Sequence, residues 1–189
     1  QMISQALAAG TFFIFASGGA YVAIMQMGRS SAEYGAWFAL GSVAYMAGNL
    51  SSARLTPRIG SSRMIWIGLI IQIAGSALNL AWGLAGLNIY PSWFFITQMI
   101  VAYGNGYVMS NLAAGAVSVR PQAAGTASGV MGFVQMGFGA IVSQAGAHLG
   151  GDYKTTVPLN FAGLILSLLC ACVVALLVTR YERRREGAE

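Results

Sequence analysis

The sequence predicts an all-α membrane protein, a polytopic bundle of about six transmembrane helices. Of its 189 residues, 57% are hydrophobic and only 8% are charged, whereas soluble domains carry roughly 25% charged residues. A water-soluble fold with this composition would expose large apolar patches and aggregate. The apolar runs are continuous and lack the alternation of a transmembrane β-strand, so they predict helices.

Six apolar stretches are each long enough to cross a hydrocarbon core, which takes about 20 helical residues. They are 4–27, 34–53, 63–84, 92–117, 122–147 and 157–180. Residues 1–180 are therefore predicted to form one transmembrane unit, and residues 181–189 a basic cytoplasmic tail. The prolines Pro57, Pro91, Pro121 and Pro158 all fall in a predicted connection or in the first turn of a predicted helix. A missing N–H costs least at those positions.

Basic residues set the predicted orientation, because cytoplasmic loops are enriched in Lys and Arg. With the N-terminus inside, the inner side holds Arg54, Arg58, Arg63, Arg120, Arg180, Arg183, Arg184 and Arg185. The outer side then holds Arg29 and Lys154. This asymmetry predicts that both termini are cytoplasmic. It also explains the net charge of +5 without a nucleic-acid partner.

The start of the chain does not resemble a signal peptide or the usual start of a membrane protein. It opens on Gln1, with no basic region before the first apolar run. We therefore expect the chain to be cut from something longer, or processed.

Catalytic and metal chemistry are not indicated. His148 is the only histidine, and Cys170 and Cys172 lie two apart on one predicted helix, so they point to different faces. No zinc-type spacing occurs. A serine protease using Ser128 and His148 is excluded, because 20 helical residues separate them by roughly 30 Å. We predict no enzyme activity, no cofactor and no metal.

An arginine-rich connection follows the second predicted span. It runs from Gly48 to Arg63 and contains Arg54, Arg58 and Gly60. Positive-inside anchoring explains it in part. It also resembles the cytoplasmic signature loop of the major facilitator superfamily, in which Gly lets two helices approach and arginines contact helix ends and acidic groups of the opposite half. This loop has no Asp or Glu, so the acidic partner of that motif is missing.

A second motif, Arg120-Pro121-Gln122-Ala123-Ala124-Gly125-Thr126-Ala127-Ser128-Gly129, runs into Gly132. This Pro-started helix resembles the eleventh span of the Bcr/CflA group of drug:proton antiporters. The small residues Gly125, Ser128, Gly129 and Gly132 are also spaced to let helix backbones pack closely. The resemblance covers essentially the whole chain, as spans seven to twelve. It implies a twelve-helix transporter of the bacterial inner membrane, whose other six-helix half lies in the same polypeptide or a separate chain.

Polar residues within spans mark the predicted substrate cavity, because they usually face the bundle or a wet cavity. With the aromatic and methionine residues beside them, the candidates are Tyr21, Tyr45, Asn49, Gln98, Tyr103, Asn105, Met131 and Gln135. For any single one, an interhelical hydrogen bond of about 0.6 kcal/mol is an alternative explanation. The polar stripe Gln72, Ser76 and Asn79 on the third helix has no explanation, since that helix usually faces lipid in the family.

All five acids lie outside the predicted spans. They are Glu33, Asp152, Glu182, Glu186 and Glu189. A proton-coupled transporter needs an intramembrane carboxylate whose pKa can move. If the protein is proton-coupled, we therefore expect the proton-binding acids in the other half.

The predicted function is transport of small solutes by alternating access, as proton-coupled efflux of drug-like compounds. Two alternatives stay open: a metabolite or sugar carrier of the same superfamily, and a self-assembling six-helix subunit without transport activity of its own. The predicted partners are the lipid bilayer, the other six-helix half, a small-molecule substrate and a proton, with no nucleic acid.

Overall fold

The computed structural model describes the backbone of residues 2–87, 90–118, 124–151 and 155–186. These residues form six α-helices and no strand. The helices are α1 (Met2–Tyr21), α2 (Ser31–Ile59), α3 (Ser61–Leu84), α4 (Pro91–Ser118), α5 (Ala124–Gly151) and α6 (Val157–Glu186). A π-helical turn, Val22–Gln26, continues α1. Each predicted span corresponds to one helix, and the all-α prediction is confirmed.

Four stretches of these helices are long and apolar enough to cross a membrane: Ile3–Gln26, Ser61–Leu84, Ser128–Gly151 and Val157–Val178. Helices α2 and α4 are also long, with 29 and 28 residues, but they carry more polar side chains. Polar groups are costly in lipid unless they are shielded, so α2 and α4 need protein or water along one face. Six membrane crossings stay a prediction.

Helix α2 continues past its predicted end at residue 53, so Arg54 and Arg58 lie on its last turns. The connection to α3 is Gly60 alone, whose φ of +90° suits a residue without a Cβ. Pro57 lies inside the helix, and its predicted place in a connection is wrong. The helix tolerates it because the missing N–H leaves only the carbonyl of Ala53 without its helical hydrogen bond. Ala53 is exposed and lies near the helix end.

Two other prolines lie where they were predicted, Pro91 at the start of α4 and Pro158 in the first turn of α6. Several residues used in the sequence predictions lie outside the described residues: Arg120, Pro121, Gln122, Asp152, Lys154 and Glu189. Helix α6 continues to Glu186, so most of the predicted tail extends the last helix.

The bundle is organised around α1, which packs against α4, α5 and α6. Helix α3 packs against α4 and α6, and α2 packs against α4. Glycines allow the closest approaches. A Cβ atom at Gly104 would lie 2.7 Å from the carbonyl oxygen of Gly68, and one at Gly48 would collide with the carbonyl oxygen of Tyr103. Gly48 therefore lies inside α2 and allows α2 to pack closely against α4, whereas the sequence had placed it at the start of a loop.

The small residues at the start of α5 do not pack against another described helix, so close packing there stays a prediction. A Cβ atom at Gly125, Gly129 or Gly132 would meet no atom within 4 Å, and Ser128 is exposed. The reason is that α5 contacts α1 further along its length. There, a Cβ atom at Gly146 would lie 2.6 Å from the carbonyl oxygen of Ile14.

Candidate functional site

A cavity of about 360 Å³ lies between α1, α2, α4 and α5. Its aromatic and methionine lining consists of Phe12, Phe13, Phe15, Trp37, Phe38, Tyr45, Phe95, Met46, Met99, Met109 and Met136. Its other polar lining residues are Thr11, Ser42, Gln98, Asn105 and Gln135. Of the described residues, none with a charged side chain and none from α3 or α6 lines it. Mostly apolar walls with a few polar groups are typical of small-molecule sites of this size.

Helical spacing explains how α4 supplies its share of this lining. Phe95, Gln98, Ala102, Asn105 and Met109 all line the cavity, and steps of three or four residues keep them on one helix face. Helix α2 contributes residues at the same kind of spacing between Trp37 and Met46. Helices α2 and α4, the two more polar helices, thus each place one face on the cavity, which α1 and α5 complete.

Aromatic contacts hold the wall formed by α1, α2 and α4. The rings of Trp37 and Phe95 are stacked, with centroids 5.3 Å apart and planes inclined by 4°. Phe15 meets Phe95 edge-on at 6.1 Å. The Tyr34 hydroxyl donates to the carbonyl oxygen of Ala16 at 3.0 Å, which ties the start of α2 to α1. The rings of Trp37, Phe15 and Phe95 offer apolar surface to a flat ligand.

Several polar groups of the cavity are held by hydrogen bonds. Asn105 is buried, and its Nδ2 donates to the carbonyl oxygen of Ala8 at 2.7 Å. Gln98 Oε1 accepts a hydrogen bond from Asn79 Nδ2 at 3.4 Å. Such bonds fix the orientation of the amides before a ligand arrives. All these groups are neutral, so the cavity suits an uncharged molecule with a few hydrogen-bonding groups.

The structure brings together four of the eight predicted cavity residues, namely Tyr45, Gln98, Asn105 and Gln135. The other four do not line the cavity. Asn49 Nδ2 donates to the Tyr45 carbonyl oxygen at 3.2 Å within α2.

The hydroxyls of Tyr103 and Tyr107 instead bond to each other at 2.9 Å. Tyr21 lies at the exposed end of α1, and Met131 is buried outside the lining. The sequence prediction missed the apolar lining, including Phe12, Met99 and Met109. Apolar residues within a span look the same whether they face lipid or a cavity. The sequence feature that could have located this lining is the helix face of α4 that carries Gln98 and Asn105, since Met99 and Met109 lie beside them on that helix.

The unexplained polar stripe of α3 faces the bundle interior. Gln72, Ser76 and Asn79 are all buried. Gln72 Nε2 donates to Thr11 Oγ1 at 2.9 Å and to Ser167 Oγ at 3.2 Å, which links α3 to α1 and α6. The stripe is therefore part of a polar network behind the cavity, and the expectation of a lipid-facing third helix does not hold for this face.

The end of the bundle that carries the arginines has its own network. Asn111 Oδ1 accepts hydrogen bonds from Thr56 Oγ1 at 3.1 Å and Ser61 Oγ at 2.9 Å, and its Nδ2 donates to Ser52 Oγ at 2.7 Å. These bonds fasten the turn between α2 and α3 to α4. The arginines of the predicted motif, Arg54, Arg58 and Arg63, are exposed around this turn. Among the described side chains the ion pair observed is Arg29–Glu33, at 3.9 Å near the opposite end of α2.

Comparison with known proteins gives one relevant similarity. A bicyclomycin resistance protein homolog from Haemophilus influenzae is 26% identical over 180 residues. The chain is an integral membrane protein. The match covers 95% of this chain but 43% of the relative, so the chain spans less than half of that protein's length. No family model matches the chain. The similarity supports the predicted relation to drug-resistance membrane proteins at a coarse level.

Proposed function

We propose that this chain is one half of an alternating-access transporter that exports small drug-like molecules. The observation that carries the proposal is the cavity between α1, α2, α4 and α5, with its aromatic and methionine walls and its neutral polar groups. Such a lining suits molecules that are largely apolar but carry some hydrogen-bonding groups. The name of the relative supports an antibiotic such as bicyclomycin as one substrate.

The second half is proposed to cover the exposed faces of α2 and α5 beside the cavity. Met46 and Met136 both line the cavity, yet their side chains are 68% and 59% exposed. Open space surrounds Gly125 and Gly129, so another helix could approach α5 closely there. The length of the relative beyond the matched region is sufficient for such a half.

Proton coupling is proposed to depend on acids in that other half. Glu33 is the one acid whose side chain the structure describes, and it lies in the first turn of α2 beside Arg29. A carboxylate that alternates between protonated and charged forms needs a place within the membrane. We also propose the bacterial inner membrane as location, with both termini cytoplasmic.

A sugar or metabolite carrier is less well supported by this cavity. Sugars need many hydrogen-bonding partners, because each buried hydroxyl must be satisfied. Here rings and methionines provide most of the lining. The walls therefore favour the drug-like substrate.

The direct test is transport by the full-length polypeptide in proteoliposomes. With an imposed proton gradient, we expect outwardly directed movement of bicyclomycin that a protonophore abolishes. Transport that continues without any proton gradient would contradict the proton coupling. If no bicyclomycin moves under either condition, the choice of this substrate is contradicted.

A further inference from the structure

A second, much smaller cavity of about 20 Å³ lies behind the main one. Its polar lining residues come from four helices: Thr11, Ser76, Asn79, Gln98 and Asn160. Three residues, Thr11, Phe15 and Gln98, line both cavities, so the two cavities adjoin at these side chains. The small cavity is therefore a side chamber of the main cavity.

One residue of the chamber lining carries an acceptor without a donor. Asn79 is 3% exposed, and its Oδ1 accepts no hydrogen bond from any described residue. Its Nδ2 is already bonded to Gln98 Oε1. A buried carbonyl oxygen with no partner is unfavourable and rare in folded proteins, so a guest that donates a hydrogen bond would be stabilised here.

Three neighbouring residues of the lining have their side-chain hydrogen bonds to other groups. Asn160 Nδ2 donates to the backbone carbonyl oxygen of Asn79 at 3.1 Å and to Thr156 Oγ1 at 3.4 Å. Thr11 Oγ1 donates to the carbonyl oxygen of Leu7 at 3.4 Å. The Ser76 hydroxyl lies 3.4 Å from Ser167 Oγ. None of these three residues donates to Asn79 Oδ1, so this oxygen is available to accept a hydrogen bond from a guest.

The volume limits the guest to one small group, because a water-sized sphere needs about 10–15 Å³ by the same measure. We infer that the chamber is a polar subsite for a single hydrogen-bond donor of one heavy atom. The donor is a hydroxyl of the exported molecule, and a water molecule takes its place when that molecule has none. This inference rests on the proposed function, and it adds that the transporter favours substrates with a free terminal hydroxyl, which can reach a chamber of this size.

The inference can be tested with thiamphenicol and florfenicol. Fluorine replaces the terminal hydroxyl of thiamphenicol in florfenicol, and the secondary hydroxyl next to the ring is the same in both. Binding of each is measured on the full-length protein in nanodiscs. We expect wild type to bind thiamphenicol more tightly, and Asn79→Leu to reduce the ratio of the two affinities by about fivefold, as the loss of one net hydrogen bond predicts. Gln144→Leu, which removes an exposed amide of α5 that lines neither cavity, should leave the ratio unchanged.

A second variant guards against misfolding of Asn79→Leu. Asn79→Ala removes the same carbonyl oxygen but adds no bulk beside the chamber, so it should fold even if Asn79→Leu does not. It should also reduce the thiamphenicol preference. Equal losses for both compounds in the two variants, or no change in either, would overturn the subsite while leaving export intact. If wild type bound bicyclomycin but neither of these compounds, the hydroxyl subsite would be overturned and the proposed function would stand. If it bound none of the three, the proposed function itself would be contradicted.

Discussion

Trp37 of α2 and Phe95 of α4 lie face to face beside the cavity, with ring centroids 5.3 Å apart and nearly parallel planes. Both rings line the cavity, so one contact joins two helices and also forms part of the wall. A change at this pair should therefore affect ligand binding more than a change at an aromatic pair elsewhere in the bundle.

We expect Trp37→Ala to weaken binding of an aromatic substrate by about threefold to tenfold, because a ring pair contributes roughly 0.5–1.5 kcal/mol beyond its buried area. Trp37→Phe should retain most of the affinity. The matched control is Trp82→Ala. The ring centroids of Trp82 and Trp93 lie 4.7 Å apart, and Trp82 lines neither cavity. Equal losses for the two alanine variants in an equilibrium binding assay would refute a special role for this wall.

Gln98 is the amide that lines both cavities. We expect Gln98→Leu to lower the affinity for bicyclomycin by about fivefold or more, since the ligand loses a neutral hydrogen-bonding partner. Gln144→Leu is the same substitution at an exposed position of α5 and should have little effect. Titration of both variants in nanodiscs gives the comparison. A Gln98→Leu protein that binds as tightly as Gln144→Leu would show that this amide does not face the ligand.

Asn111 is expected to matter for stability. Its side chain bonds to Ser52, Thr56 and Ser61, so Asn111→Ala should destabilise the protein by about 1–3 kcal/mol. Asn49→Ala is the control, because Asn49 bonds to a carbonyl of its own helix. Thermal unfolding in detergent measures the difference. Similar melting temperatures for both variants would mean that the network does not hold the turn between α2 and α3.

Gly104 tests the close packing of α3 on α4. Gly104→Ala would bring a Cβ atom within 2.7 Å of two backbone atoms, the nitrogen of Gln72 and the oxygen of Gly68. Overpacking of this kind costs about 1–3 kcal/mol. Gly35→Ala places its Cβ in open space and should be neutral. If both variants unfold at the wild-type temperature, the helices are not packed as closely as the structure shows.

The helices could be predicted from the sequence because long continuous apolar runs that match the thickness of a membrane form few structures other than helices. The end of α2 was missed because apolarity marks a membrane boundary and not a helix boundary. Arg54 and Arg58 leave the apolar region, but their backbone still gains helical hydrogen bonds. Pro57 misled the prediction for the same reason, since proline near a helix end removes only one bond.

The cavity could be predicted in part, through the polar residues Gln98 and Asn105. The remaining polar stripes were ambiguous, because polar side chains within a bundle can also bond to one another. Tyr103 bonds to Tyr107, and Gln72 bonds to Thr11 and Ser167. Which of these occurs depends on the rotation of each helix, and single-sequence spacing does not determine that rotation.

Protection of a cavity thiol tests the central claim, that this cavity holds the exported molecule. Met99→Cys, in a full-length background with Cys170 and Cys172 replaced by Ala, places one thiol in the lining. Leu84→Cys at the exposed end of α3 is the control. We predict that saturating bicyclomycin slows labelling of Met99→Cys by a maleimide and leaves Leu84→Cys unaffected. Equal labelling rates of Met99→Cys with and without bicyclomycin would contradict the account.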